Sequence, residues 1–109
     1  MKVYTDVPQS KKLAEILPIE SADMTWVDYG YCKRVLPKDD VDANAYPIII
    51  PAWSLATLLD VLPSGKALIH DKDTSKYKCI CKNIDTNYYN NAVDACYEMI
   101  LLLNKEGLL

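Results

Sequence analysis

Residues 66–82 read KALIHDKDTSKYKCICK and establish the fold class of the chain. Residues 66–70 and 77–82 are short apolar runs that favour strands, and the polar residues between them are typical of a loop. The two runs therefore predict an antiparallel hairpin. Because side chains alternate along a strand, Tyr77, Cys79 and Cys81 fall on one face, which we expect to be buried.

The segment that follows this hairpin predicts a helix from about Ala92 to Glu106. Asn91 is a favourable first cap, and Gly107 is a favourable terminator. The apolar stripe of this helix is wide, because Leu101 and Leu102 lie outside the positions that one core face requires. We therefore expect a helix that either is buried on two sides or presents apolar surface to a partner.

Two earlier helices carry local signals at their ends. The first is predicted from Asp6 to Leu17, where Asp6 and Gln9 have the spacing of a capping box and Pro18 stops the helix. The second has leucines at helical spacing over residues 55–62 and ends at the Pro-Ser-Gly of residues 63–65.

The remaining elements are predicted from shorter patterns. A short helical turn is expected at residues 21–24, two strands at residues 26–28 and 30–35, a solvated acidic loop at residues 38–44, and an edge strand at residues 46–50. Together these patterns predict one domain over residues 1–109. Its class is α+β, with a small and mostly antiparallel sheet covered on one face by about three helices.

The composition excludes several classes of protein. The chain has 109 residues, half of them apolar, and a formal net charge of −3. No apolar run approaches the roughly 20 residues of a membrane-spanning helix, and the first residues lack the apolar core of a secretory signal. We therefore expect a cytoplasmic protein with no membrane association, whose four cysteines are reduced thiols.

Few patterns in the sequence point to catalysis. The three glycines are isolated, and Ser64-Gly65-Lys66 lacks the other residues of a phosphate-binding loop. His70 is the single histidine, so it is the one histidine base that a hydrolytic triad could use, but no motif places a nucleophile beside it. The sequence therefore predicts no catalytic residue, no cofactor and no enzyme activity.

Cys79 and Cys81 allow a metal-binding alternative, with a further ligand from Cys32, Cys96 or His70. Structural zinc sites normally use a pair of cysteines separated by about two to four residues on a turn, whereas these two alternate along a strand. We favour packing over metal binding, and we predict no metal site.

Lys76, Lys78 and Lys82 lie on the opposite face of the same predicted strand. Such a stripe could follow a phosphate backbone, with nearby tyrosines as stacking platforms. Lysines on an exposed strand also prevent edge-to-edge aggregation, and the net charge is acidic. Nucleic-acid binding is therefore the alternative hypothesis.

The aromatic residues are eight tyrosines and two tryptophans, with no phenylalanine. Each has a polar group and favours half-buried boundaries and interfaces. The candidate interface joins the apolar positions of the last helix to the tyrosines before it and consists of Tyr97, Leu101, Leu102, Tyr88 and Tyr89. This pattern favours a homo-oligomer.

Three stretches resemble a family of short uncharacterised proteins of gut Bacteroidetes and of their prophages and mobile elements. They are SKKLAEILPIESADM at residues 10–24, PAWSLATLLDVLP at residues 51–63, and the last helix from residue 91 onward. The resemblance covers somewhat under half of the chain and implies an accessory protein of a mobile element. The leading hypothesis is a non-enzymatic, self-associating interaction protein.

Overall fold

The computed structural model describes residues 2–30, 32–41 and 49–109 of the chain. These residues form a small α+β fold with two antiparallel sheets of three strands each. The helices are α1 (Val7–Ala14), α2 (Leu55–Val61) and α3 (Ala92–Lys105). The strands are β1 (Met24–Asp28), β2 (Lys33–Pro37), β3 (Ile49–Ala52), β4 (Ala67–Asp71), β5 (Lys76–Cys81) and β6 (Ile84–Asp85). The fold class is confirmed, although the strands form two sheets where one was predicted.

The first sheet has the strand order β2-β1-β3. The β1–β2 pair corresponds to the two predicted strands around Gly30, with Trp26 opposite Val35. β3 also pairs with β1 and lies at an edge, as Pro47 and Pro51 in the sequence predict. The first part of the predicted edge strand, residues 46–48, and the end of the acidic loop, residues 42–44, lie outside the described residues.

The second sheet has the order β4-β5-β6 and contains the predicted hairpin. Cys79 and Cys81 are fully buried and Tyr77 packs against the core, which confirms the predicted inner face of β5. The short strand β6 was not predicted. It follows a turn in which Lys82 and Asn83 adopt positive φ angles of 50° and 64°, and the sequence has no glycine there to mark such a turn.

Helix α3 packs on the inner face of the second sheet and against α2, while α1 packs against β3 of the first sheet. Of residues 92–103 in α3, none is exposed, so Leu101 and Leu102 are themselves half-buried. These residues of α3 therefore leave only part of their apolar surface open to solvent.

The local helix signals are confirmed at most ends. Asp6 and Gln9 form the predicted capping box of α1, and Asn91 caps α3 by accepting a hydrogen bond from the Asp94 N–H at 2.8 Å. α1 ends at Ala14, three residues before the predicted end. Pro18 disfavours the helical conformation of Leu17, so residues 15–17 form a turn.

The turn predicted at residues 21–24 is found slightly earlier, as a 3-10 turn at Ile19–Ser21. A second 3-10 turn, Lys38–Asp40, begins the acidic loop. Within the described part of the chain, no helix is long and apolar enough to cross a bilayer.

Candidate functional site

A cleft opens where the second sheet, the first residues of α2 and α3, and the N-terminal segment meet. Its volume is about 550 Å³, which lies within the roughly 300–1,000 Å³ typical of small-molecule sites. Two other clefts, of about 390 and 220 Å³, are smaller. The 550 Å³ cleft is lined by Lys2, Val3, Leu55, Leu68, His70, Ser75, Tyr77, Asn90, Asn91 and Ala92.

The N-terminal segment forms one wall of the cleft because backbone hydrogen bonds fix it to the start of α2. The Leu55 N–H donates to the Val3 carbonyl at 3.0 Å, and the Thr5 N–H donates to the Trp53 carbonyl at 2.9 Å. Between these two bonds, Tyr4 forms a β-bridge with Ser54. Val3 is therefore held beside Leu55 although half of its own surface is exposed.

The opposite wall comes from the inner face of the β4–β5 hairpin. Leu68 lies opposite Cys79, and His70 lies opposite Tyr77. Directly paired residues of an antiparallel ladder share one face of the sheet. The rings of His70 and Tyr77 stack with their centroids 4.4 Å apart and an interplanar angle of 11°.

The segment before α3 closes the end of the cleft. Tyr89 and Tyr77 exchange two backbone hydrogen bonds of 2.7 Å each, which fixes this segment to β5. Asn90, Asn91 and Ala92 follow and line the cleft. The Asn91 side chain is occupied by the cap of α3, because its oxygen accepts from the Asp94 N–H and its Nδ2 donates to Asp94 Oδ2 at 2.9 Å.

Lys2 is the one lysine in the lining, and its ammonium is already bonded. It donates to Asp94 Oδ1 at 2.8 Å and to Asp6 Oδ2 at 2.9 Å. Burial by itself lowers the pKa of Lys2, but the hydrogen bonds to Asp94 and Asp6 outweigh it and raise the pKa above its ordinary value. Lys2 therefore stays protonated, and a protonated amine is not a nucleophile.

Asp94 lies in the first turn of α3, where the helix dipole favours a carboxylate. Burial raises its pKa, but hydrogen bonds from Lys2, Gln9 and Asn91 outweigh this effect and lower the pKa below its ordinary value. Asp94 thus has a structural role at the start of α3, and this role extends to contacts with α1 and the N-terminal segment. Burial and the charge of Asp94 raise the pKa of Glu98, one turn later in α3.

The candidate interface residues do not form one continuous patch. Tyr97, Leu101 and Leu102 are half-buried on α3, and Tyr89 is half-buried in the segment before it. Tyr88 is 44% exposed, and its ring centroid lies 5.3 Å from Lys78 Nζ. Because Lys78 lies on the outer face of the second sheet and α3 on the inner face, Tyr88 and the α3 residues are on opposite sides of that sheet.

The three lysines of the nucleic-acid hypothesis lie on or next to the outer face of β5. Lys76 is exposed and directly opposite Asp71, and Lys78 forms an ion pair of 3.3 Å with Asp85. Lys82 is exposed in the turn that follows β5. Carboxylates thus lie beside two of the three lysines, which lowers the positive charge that this face offers to phosphates.

The buried cysteines and the Ser64-Gly65-Lys66 segment make contacts within the fold. Interaction with the neighbouring thiol of Cys79, together with burial, raises the pKa of Cys96 above its ordinary value, so the Cys96 thiol stays protonated. Among the described residues, no group of three or more histidine, cysteine or acidic side chains is placed to hold a metal ion. Lys66 of the Ser-Gly-Lys segment donates to the Leu62 carbonyl at 3.2 Å, at the end of α2.

Of the residues in the lining, His70 is the one to which the sequence assigns a candidate chemical role. Lys2, Val3, Leu55 and Asn90 were not singled out, because they come from segments far apart in the chain and have no common motif. With the described residues, the His70 imidazole makes a ring contact to Tyr77 but no hydrogen bond or ion pair. Comparison with family models, with curated proteins and with solved structures gives no match to this chain.

Proposed function

We propose that the chain is a non-enzymatic binding protein and that the 550 Å³ cleft is its binding site for a small organic molecule. The observation that carries this proposal is the cleft itself, which combines an apolar lining with a few polar groups at its rim. This proposal keeps the non-enzymatic character expected from the sequence and moves the binding surface from α3 to the cleft. The family resemblance adds the setting of an accessory protein of a mobile element.

The side chains of the lining support binding over catalysis. Lys2 is protonated and bonded to two carboxylates, and Asn91 is occupied as a helix cap. Acid–base catalysis needs a titratable group within hydrogen-bond reach of a second group that it activates. His70 has no such partner among the described residues.

The proposal is tested by filling the cleft from its exposed rim. Val3 lines the cleft and is 50% exposed, so Val3→Trp places a large ring there at little cost to folding. Ile19→Trp is the matched control, since Ile19 is 62% exposed and does not line the cleft. Fragments of about 10–15 heavy atoms are screened for the increase in melting temperature that ligands of the folded state produce.

We expect several fragments to raise the melting temperature of the wild-type protein and of Ile19→Trp, and not that of Val3→Trp. The same increase in Val3→Trp as in the wild type would place the binding elsewhere. A wild-type melting temperature that no fragment raises at millimolar concentration would contradict the proposal.

Self-association through Tyr97, Leu101 and Leu102 stays a prediction. The half-buried state of these side chains leaves less apolar surface for a second copy than the sequence pattern indicates. Sedimentation at high micromolar concentration tests it, and a monomer under those conditions would contradict it.

A further inference from the structure

The stacked pair of His70 and Tyr77 gives the cleft an aromatic surface in addition to its aliphatic one. The interplanar angle of 11° means that the two rings are nearly parallel, with 4.4 Å between their centroids. Ring faces carry the negative side of the quadrupole and stack in offset arrangements with other flat rings. A third flat ring can therefore extend this pair.

Such a ring would stack on the face of His70 that points away from Tyr77. β4 is an edge strand of the sheet in the order β4-β5-β6, so Tyr77 on β5 occupies one side of His70, and in the described part of the chain no further strand of this sheet occupies the other. His70 is exposed and lines the cleft. Leu55, Leu68 and Val3 supply apolar contacts to the same ligand.

The charges of the lining favour a ligand without a net charge. Lys2 has carboxylate oxygens at 2.8 and 2.9 Å, so its ammonium is not free for an anionic ligand. The side chains of Ser75 and Asn90 are exposed at the rim and provide neutral hydrogen-bonding groups.

We infer that the cleft takes an uncharged planar aromatic molecule, which stacks on the face of His70 that points away from Tyr77 while its polar substituents meet Ser75 and Asn90. This inference rests on the proposed function, because it names the class of ligand for the same cleft. It predicts a preference for flat rings that an aliphatic cleft of the same size would not show.

The test compares 2-naphthol with decahydro-2-naphthol, which has the same carbon skeleton and hydroxyl group but is neither flat nor aromatic. Dissociation constants are measured by NMR from the methyl signals of Val3, Leu55, Leu68 and Ala92. We expect 2-naphthol to bind about 2- to 12-fold more tightly, the range that corresponds to one aromatic stacking contact. 2-Naphthoate, its anionic relative, is expected to bind more weakly than 2-naphthol.

Two variants assign this preference to the imidazole ring. His70→Phe keeps a flat ring and is expected to keep the preference, whereas His70→Leu is expected to bring the ratio of the two dissociation constants close to one. Thermal denaturation of each variant verifies that it is folded. If a variant does not fold, the comparison of the two alcohols in the wild-type protein still tests the inference.

The outcomes separate the two proposals. Equal affinity of the cleft for the two alcohols, or an unchanged preference in folded His70→Leu, would overturn the inference about the ligand and leave the binding cleft in place. Failure of both alcohols to shift any methyl signal of the cleft would also overturn this inference, while the fragment screen described above decides the proposed function.

Discussion

Asp94 is the residue on which three segments of the chain converge. Its two carboxylate oxygens accept hydrogen bonds from Lys2 of the N-terminal segment, Gln9 of α1 and Asn91 at the start of α3. Each of these bonds involves a charged acceptor, and such bonds are stronger than neutral ones. The Asp94 side chain therefore connects the N-terminal segment, α1 and the start of α3.

Asp94→Asn is expected to lower the free energy of unfolding at pH 7 by about 1–2 kcal/mol, since an amide nitrogen cannot accept the bonds that one carboxylate oxygen accepts. The pKa of Asp94 is lowered in the folded state, so its contribution is present above the unfolded pKa of about 4. The contribution is lost as the pH falls through the lower folded value.

Urea denaturation from pH 7 to pH 2 measures this difference. The wild type and Asp94→Asn should converge in stability at the acidic end. Asp60→Asn, at an exposed position of α2, is the matched control and should change stability by less than about 0.5 kcal/mol at every pH. A gap between wild type and Asp94→Asn that is constant across this range would exclude the proposed role of the carboxylate.

At the scale of elements, Thr5 attaches the N-terminal segment to the rest of the fold through hydrogen bonds. Thr5 is fully buried, and its hydroxyl oxygen accepts from the Trp53 N–H at 3.1 Å and hydrogen-bonds to Ser10 Oγ at 2.8 Å. Its carbonyl accepts from Trp26 Nε1 at 2.9 Å. These bonds connect the segment to α1, to β1 and to the chain that leads into α2.

Thr5→Val removes the hydroxyl at nearly constant volume. The buried backbone N–H of Trp53 then loses the Thr5 hydroxyl oxygen as its acceptor. We expect the free energy of unfolding to fall by about 1–3 kcal/mol. Thr5→Ser keeps the hydroxyl and loses one methyl group, so its cost should be about 1 kcal/mol. Chemical denaturation of both variants gives the comparison, and a Thr5→Val protein as stable as the wild type would show that these hydrogen bonds contribute little.

The sequence predicts best those elements whose ends are marked by residues close to them in the chain. The observed bounds of α3 differ from the predicted ones by one residue, because Asn91 and Gly107 mark its two ends locally. β6 has only two residues and a turn formed by Lys82 and Asn83, so neither its length nor its turn is distinctive. The division into two sheets depends on which strands pair across long intervals, as β1 and β3 do.

The two tryptophans show at single positions that local sequence does not predict tertiary contacts. Both were expected at half-buried boundaries, yet Trp53 is fully buried. Its indole Nε1 donates to Ser21 Oγ at 2.9 Å, so the polar group of the ring is satisfied inside the fold. Trp26 is half-buried, as expected. Its Nε1 donates to the Thr5 carbonyl, so both indole groups have partners in distant segments of the chain, which the local sequence does not show.

At the scale of the whole molecule, the cleft is a product of assembly. Its walls come from the N-terminal segment, the start of α2, the β4–β5 hairpin and the start of α3. The hairpin, α2 and α3 were each predicted, but their meeting point was not, because the contacts that set it join segments such as Lys2 and Asp94, 92 residues apart. The sequence therefore predicted an interaction surface around the last helix, whereas the cleft proposed as the binding site is visible only in the assembled chain.

The most direct test of the binding cleft is a map of chemical-shift changes when a set of uncharged fragments is added to protein with labelled methyl groups. We predict saturable changes concentrated at Val3, Leu55, Leu68 and Ala92, which line the cleft. Methyl groups that line neither this cleft nor the two smaller ones, such as those of Leu36 in β2, should stay unchanged. Saturable changes that bypass the cleft methyls, or no changes at millimolar fragment, would contradict a binding function for this site.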